Sequence, residues 1–593
     1  MNLDLDQVEE WLAEHPEVHD VARREILDGK PSFEHEKTCL AAWDVTCTID
    51  GEPHELVVVI TNQFPADMPK VYLRNPEKYE LLNHVNCLGD ICFWDRRAGG
   101  FFATSRPQDI LSSGISAALK RLEESLKEPD PDNLVDEFEG FWRWLKGKRT
   151  VAFFAPPARE SVRMTVRSTP EGLFTISYAG ELPSTAYAQR FNNGDPKTAW
   201  YFPLDTPVLP PSSDAVSAAY VRSLFGSIKV KTSEFDAWMK NGKFRKKPSG
   251  KKSKFRNKSK KGRSRISQTQ YYIFFFSTPR PAGGHALFGV HIKGRSKENF
   301  FESDSEKLWE ITPFEIEHHY REFMTERAGA EYDLSEVSVA VVGCGAVGCR
   351  VAEKLTLMGV GELVLVDSDY FTHENVFRHY LGSSSIGAKK SKALAENLAS
   401  EHVGLSTVWR HMDRKKWLEG HEGEAKRMDF IVDATGEFSG MREVSRQREG
   451  MGLPPILFTW VEAAGVGGFA VLDGDTKGCF NCLVRDRDQG PYMTCHYLKP
   501  DQVVAKDLTG CGSFIPFSAL DAEKTAIMAC EMLWDTINDP EGSPSIYRSW
   551  RGRADVAEKM GLEFNPSFGE DSPLSVYDSR DFASVICPVC RGR

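Results

Sequence analysis

Gly343-Cys344-Gly345-Ala346-Val347-Gly348 follows an apolar run that begins at Val337, and a second apolar run, Leu363-Val364-Leu365-Val366, ends at Asp367. Glycines at this spacing permit a tight turn and close approach of backbone to a ligand. A helix beginning beyond them favours an anion, and a carboxylate about 20 positions on can hold a ribose. The pattern is that of a nucleotide site. Alone, it fits a redox dinucleotide enzyme as well as other nucleotide binders. The polar series that follows, Asp369, Asn375, Arg378 and Gly387-Ala388-Lys389-Lys390, favours ATP adenylylation. An Asp can hold ribose or Mg²⁺ there, while Arg378 and Lys390 neutralise the phosphates as pyrophosphate leaves. A dehydrogenase has no evident use for this series.

Sulfur supplies the second kind of chemistry. Cys479-Phe480-Asn481-Cys482 and Cys587-Pro588-Val589-Cys590 are two CxxC pairs. Each can present two thiolates to one ion, and together they complete a closed, tetrahedral zinc site of the structural type. Cys511 lies in Thr509-Gly510-Cys511-Gly512-Ser513, where small neighbours leave the sulfur approachable and a helix starting near Ala519 favours thiolate. Cys495, in Thr494-Cys495-His496, is the alternative nucleophile, and Cys530, in a helical apolar pattern, reads as a core thiol. Thirteen cysteines, an odd number, come with an acidic, amphipathic N-terminus (residues 1–25) unlike a signal peptide and no apolar run able to span a bilayer. The expectation is a cytoplasmic protein whose cysteines serve metal and catalysis rather than disulfides.

Three regions must position these groups in a chain of 593 residues. Residues 1–148 read as a small α+β domain: strand alternation through Leu56–Ile60 and Lys70–Leu73, a loop holding Cys87 and Cys92, and a helix from about Pro107 to Lys127. Residues 149–313 are β-rich, with strands at Tyr271–Ser277 and Ala286–Lys293, and are expected to serve as scaffold or docking surface. Residues 314–593 read as an α/β Rossmann-like domain. The net charge of −11 excludes a general polyanion binder, although residues 243–265 are densely basic. Self-repulsion and lack of apolar surface make that stretch a solvated loop, and contact with nucleic acid or an acidic partner is the lesser expectation. Joints are expected near Lys146 and in the basic loop.

From Ile316 to Arg593 the motifs resemble the adenylation domain shared by ubiquitin-activating enzymes and the sulfur-carrier activators of thiamin and molybdopterin synthesis. The resemblance implies ATP, Mg²⁺ and Zn²⁺ as cofactors, nucleotide contacts from Gly343, Gly345, Gly348, Asp367, Asp369, Asn375, Arg378 and Lys390, and a thioester at Cys511. It also implies a metal-binding role for Asp433, although Asp433-Ala434-Thr435-Gly436 replaces the D-x-x-D of relatives. Arg321 would reach a partner protomer's ATP, which implies a homodimer.

Residues 1–148 resemble a ubiquitin-conjugating enzyme: Phe64-Pro65-Ala66-Asp67-Met68-Pro69-Lys70, then His84-Val85-Asn86 for His-Pro-Asn, then Gly89-Asp90-Ile91-Cys92-Phe93. That implies Cys92 as thioester cysteine and Asn86 as an amide donor to the oxyanion. The whole resembles the activating and conjugating fusions of bacterial antiviral CD-NTase (CBASS) systems. The implied substrate is a protein with a C-terminal glycine, a CD-NTase or a ubiquitin-like protein, passed to a lysine-bearing target. A sulfur-carrier adenylyltransferase with an inert N-terminal binding domain is the alternative, and a nucleotide-gated adaptor using the basic loop is a third reading.

Overall fold

A computed structural model describes residues 3–24, 38–79, 81–94, 102–168, 174–178, 196–228, 233–240, 268–296, 298–303, 305–330, 332–502, 504, 506–507, 513–539, 542–570 and 576–590. The basic loop 243–265 and Cys511 lie outside them. The chain divides into two compact units between His318 and His319.

The first unit opens with a helix, Leu5–Ala13, capped by the Asp4 carboxylate and burying Val8 and Leu12. An antiparallel meander follows: β1 (Val18–Arg23), β2 (Cys39–Ile49), β3 (Glu52–Thr61) and β4 (Lys70–Leu73). Helix Pro107–Lys127 starts on proline, whose fixed φ suits the first turn. It buries Ile110, Leu111, Ile115, Ala118, Leu119 and Leu122 against that sheet at helical spacing.

Next comes a closed barrel of β5 (Arg149–Phe153), β6 (Val162–Ser168), β7 (Phe174–Tyr178), β8 (Lys197–Pro203), β9 (Gln268–Pro279), β10 (His285–Ser296) and β11 (Trp309–His318). Tyr272, Phe274 and Phe276 share one aromatic core with Trp200, Phe202 and Phe288. Phe275, on the opposite face as strand alternation requires, stacks on Phe314 at 5.5 Å.

Two expected boundaries are corrected. β11 runs past residue 313 because its last residues pair with β5. The joint near Lys146 is tied: Lys146 N–H donates to Asp214 O at 2.7 Å, and Phe138 and Trp142, on the helix Phe138–Arg143, bury into the barrel's aromatic core.

The second unit is a doubly wound sheet. β12 (Ser338–Val342), β13 (Glu362–Val366), β14 (Ser406–Arg410), β15 (Phe430–Asp433) and β16 (Ile456–Val461) are parallel in the order β14-β13-β12-β15-β16. Antiparallel β17 (Gly467–Asp473) and the strands Ile546–Arg551 and Val576–Ser579 extend it. The inner strands are buried on both faces and read as unbroken Val/Leu/Ile runs, as covered parallel strands must. Helices Gly348–Leu357 and Ala519–Ile537 cover one face. Among the described residues, no helix is long and apolar enough to cross a membrane.

Candidate active sites and metal centre

Strand order reverses between β12 and β15, so a crevice forms at their carboxyl ends. There a cavity of about 770 Å³ is lined by Gly343, Gly345, Asp367, Asp369, Lys390 and Arg414 among others. The glycine loop is anchored at several points. One Asp367 oxygen accepts the Cys344 N–H at 2.7 Å and the other accepts Asp369 N–H at 2.7 Å. Burial is the largest influence on the Asp367 carboxyl and raises its pKa. His379, buried, accepts Leu381 N–H on Nδ1 at 3.0 Å and donates from Nε2 to Cys344 O at 2.8 Å. Burial pushes its pKa down to about 4, so it holds the loop as a neutral ring. Lys390 ion-pairs with Asp369 at 2.8 Å.

The expected polar series separates in space. Lys390 lines this cavity, whereas Arg378 lines a neighbouring one of about 630 Å³ that shares Gly345, Ala434 and Thr435 with it. Asn375 is buried, and its Oδ1 accepts from Thr372 N–H at 3.0 Å to cap a short turn. Asp433 is corrected as a direct ligand: it is 1% exposed and covered by Arg414, with Thr435 Oγ1 donating to it at 2.7 Å. Arg414 itself lines the cavity and is the cleft residue the sequence reading missed. Its one signal was its place just beyond a strand end, at the ligand edge of a parallel sheet. Arg321 is corrected likewise. It begins helix Arg321–Arg327 and bonds the carbonyls of Gly359 and Gly404 in its own unit, so its guanidinium is committed there.

The 630 Å³ cavity is lined by Glu462, His496, Trp460, Tyr492 and Arg442 among others. Glu462 accepts N–H bonds from Tyr497 at 2.8 Å and Leu498 at 3.0 Å, and burial pushes its pKa up to about 8. Cys495 packs beside this site, and burial, then Glu462, pushes its thiol well up. A thiol kept protonated is a poor nucleophile, so this environment speaks against Cys495 as the alternative nucleophile.

Cys479, Cys482, Cys587 and Cys590 converge, their sulfurs all within 4.8 Å of one another. The Sγ separations are 3.9 Å for Cys479–Cys482, 3.6 Å for Cys479–Cys587 and 3.3 Å for Cys482–Cys590. A tetrahedral ion with Zn–S bonds of about 2.3 Å needs edges of about 3.8 Å, so the donor set and spacing fit zinc. Ser584 N–H donates to Cys482 Sγ at 3.3 Å, a bond that favours thiolate.

In the first unit, Cys92 is exposed at the end of a narrow hairpin. Cys92 N–H donates to His84 O at 2.7 Å and Asn86 N–H donates to Asp90 O at 3.2 Å, flanking a bridge between the buried Val85 and Ile91. Asn86 Oδ1 accepts from Leu88 N–H at 2.9 Å and Asp90 N–H at 3.1 Å. Its carbonyl therefore closes the turn, and the backbone bonded to Cys92 N–H is that of His84, not of Asn86. Cys87 faces away, donating to Trp144 O at 3.4 Å beside a cavity of about 350 Å³. Burial, then Asp214, pushes its thiol up.

A Rossmann-type nucleotide cleft and a cysteine hairpin on a conjugating-type α+β domain define a chain that joins an activating-type to a conjugating-type domain. Family matches agree: residues 319–520 match the ThiF family and residues 32–151 match prokaryotic E2 family B, so the chain carries both domains. Among curated relatives, it is 28% identical over 213 residues to the ATP-dependent ubiquitin transferase-like protein Cap2 of Pseudomonas aeruginosa, covering 35% of this chain and 37% of that protein. It is also 28% identical over 233 residues to the Cap2 of Escherichia coli, covering 37% of each. The chain thus spans little more than a third of the length of these relatives. A crystal structure of Escherichia coli MccB superposes with a TM-score of 0.31 at 16% identity over 46% of this chain and 68% of that one, too low a score to bear on the fold.

Proposed function

We propose that this chain activates the C-terminal glycine of a protein with ATP and carries the acyl group through thioesters to an amine. The observation supporting it is that one chain holds both a ThiF-family nucleotide cleft and an exposed Cys92 inside a prokaryotic E2 family B domain. The substrate carboxylate attacks the α-phosphorus of ATP, giving acyl-AMP and pyrophosphate. Asp367 holds the ribose edge of the cleft, and Lys390 and Arg414 face the phosphates. The 630 Å³ cavity, meeting the cleft at Gly345, Ala434 and Thr435, admits the extended substrate tail. Cys511 then displaces AMP, Cys92 takes the acyl group by thioester exchange, and a lysine amine takes it from Cys92. Each exchange is nearly isoenergetic, so ATP cleavage drives the sequence.

Asp367 or Asp369 would hold magnesium in the cleft, where it would supply positive charge to the departing pyrophosphate, and the four thiols would hold zinc, which would pin residues 587–590 to the domain. A homodimer rests on exposed apolar side chains, Leu357 and Ile527, on two neighbouring helices rather than on Arg321. The resemblance to the activating and conjugating fusions of CBASS systems implies a bacterial antiviral role with a CD-NTase as the activated protein. Need for ATP and reduced thiols fits the cytoplasm.

The test is intact mass and non-reducing gel analysis after incubating wild type, C511A and C92A with ATP, Mg²⁺ and a CD-NTase or ubiquitin-like protein ending in glycine. Thiol-sensitive adducts at both cysteines, with the Cys92 adduct lost in C511A, are the expected result. AMP formation with no adduct on either cysteine would leave a sulfur-carrier-type adenylyltransferase instead.

A further inference from the structure

Three rings meet in the wall of the 630 Å³ cavity. Phe438, at the start of helix Phe438–Met451, stands edge-on to Trp460 with ring centroids 5.5 Å apart and packs on His496 at 5.4 Å. Trp460, on β16, is backed by Phe469, stacked at 5.3 Å, and donates its Nε1–H to His496 Nε2 at 3.0 Å. That bond leaves the imidazole proton on Nδ1, and burial lowers the His496 pKa to about 4, so the ring is neutral. Trp460 is 3% exposed, whereas Phe438 keeps 36% of its surface open. The cluster is a fixed aromatic wall with one ring still uncovered.

The charged groups lining this cavity are matched within the protein. Arg442 holds the two oxygens of Asp486 at 2.8 Å each, Arg487 holds Asp501, and Lys499 pairs with Glu563 at 2.6 Å. Glu462, its pKa pushed up to about 8, is uncharged at neutral pH. A charged side chain entering here would lose water and find each of these cations already paired, whereas an apolar one would cover open aromatic surface. The cavity meets the nucleotide cleft at Gly345, Ala434 and Thr435. Phe438 is three residues beyond Thr435, within a chain reach of about 10 Å. An extended tail advances about 3.3 Å per residue. With a terminal glycine at the junction, the side chain that meets Phe438 belongs to one of the three residues before it.

We infer that the cluster of Phe438, Trp460 and His496 selects substrate tails with an apolar side chain, an aromatic one best of all, among the three residues before the terminal glycine, and that Phe438 is the specificity-determining residue. This inference rests on the reading of the cavity as the channel for the substrate tail. Continuity with the nucleotide cleft through three shared residues commits this surface to the tail rather than to another partner. A tail ring packed on Phe438 gains from edge-to-face geometry as well as from the area it covers.

The test compares tails by ATP–pyrophosphate exchange on the full-length chain. The probes are a CD-NTase and a ubiquitin-like protein, each ending in glycine and each made with Phe, Ala, Asp or Lys at each of the three positions before it. At one of those positions, wild type is expected to favour Phe over Ala by about 10-fold in kcat/KM and over Asp or Lys by about 100-fold, chiefly through KM. F438A should narrow the ratio of Phe to Ala to under about threefold, while F438L keeps the preference for apolar over charged tails. Thermal melts and ATP titration of both variants separate a change in tail selection from a change in fold or nucleotide binding. Equal kcat/KM for all tails on wild type, with exchange intact, would overturn this inference and leave the activation reading standing. So would a Phe preference undiminished in F438A, or a preference for Asp, which would give the tail to Arg442 and Arg487. No exchange by wild type with any tail of either protein would defeat the functional reading and this inference with it.

Discussion

Arg414 lies over Asp433, with one end of its guanidinium on that carboxylate and the other on Glu437 Oε2 at 2.7 Å. The Arg414 side chain is 13% exposed and that of Asp433 1%, so the pair is withdrawn from water. Removing one partner of such a pair leaves an uncompensated charge and costs about 3–5 kcal/mol. R414M should therefore lower the unfolding midpoint of the second unit by that order and weaken ATP binding. R414M/D433N should be less destabilised than the sum of its single changes, and calorimetry of the full cycle checks this. A single-change loss under about 1 kcal/mol, the value of an exposed pair, would mean that the ions are solvated.

The glycine loop offers a sharper separation of fold from binding. A Cβ on Gly348 would lie 1.8 Å from Gly343 O, whereas one on Gly345 meets nothing within 4 Å although Gly345 lines both cavities. G348A should lose stability and nucleotide binding together. G345A should unfold like wild type yet bind ATP less tightly, since the methyl group occupies space the ligand needs. Thermal melts and ATP titration of both variants distinguish the cases, and G345A binding ATP normally would place the nucleotide elsewhere.

The contrast explains what the sequence could reveal. The strand-glycine-helix-strand-Asp367 unit was legible because its function needs a contiguous run with a fixed period, and helix Pro107–Lys127 was legible because one face repeats at helical spacing. The four thiols were legible despite the gap of about a hundred residues, since metal spacing within each CxxC pair is local. Arg414 was not assigned a role, because it acts through a partner brought close only by topology, the end of β15 meeting the loop after β14. The barrel's closure was equally hidden, since β5 pairs with β11 and β7 and only tertiary register says so.

Zinc gives a test with two readouts. Metal analysis of purified chain should find about one zinc per molecule, and C587S should lose it and lower the melting temperature of the second unit, because binding energy at a structural site is folding energy. A chelator should act on wild type in the same direction and leave C587S unchanged. Metal-free wild type with the same melting temperature as C587S would show the four sulfurs to be a thiol cluster only.

Glu462 makes stability depend on pH with a definite sign. Its pKa is raised from 4.5 to about 8, chiefly by burial, so between those values the folded chain binds more protons at this site than the unfolded chain. Its contribution to stability therefore falls as pH rises through that window. His496, beside it, acts oppositely: burial lowers it from 6.5 to about 4, so its contribution is lost as pH falls through that range. Comparing E462Q with wild type isolates the first term, because His496 is present in both. E462Q should gain stability relative to wild type as pH rises from about 4.5 to about 8, whatever constant offset the amide introduces against the Tyr497 and Leu498 N–H groups. Melting temperatures of both proteins across that range measure the slope, and a flat difference between them would mean that Glu462 is folded as a carboxylate. The sign matters for activity because Glu462 lines the 630 Å³ cavity. A protonated Glu462 adds no negative charge where the substrate carboxylate would pass, and its ionisation at high pH repels that carboxylate. Adenylation by wild type should then decline above about pH 8 while E462Q retains its rate.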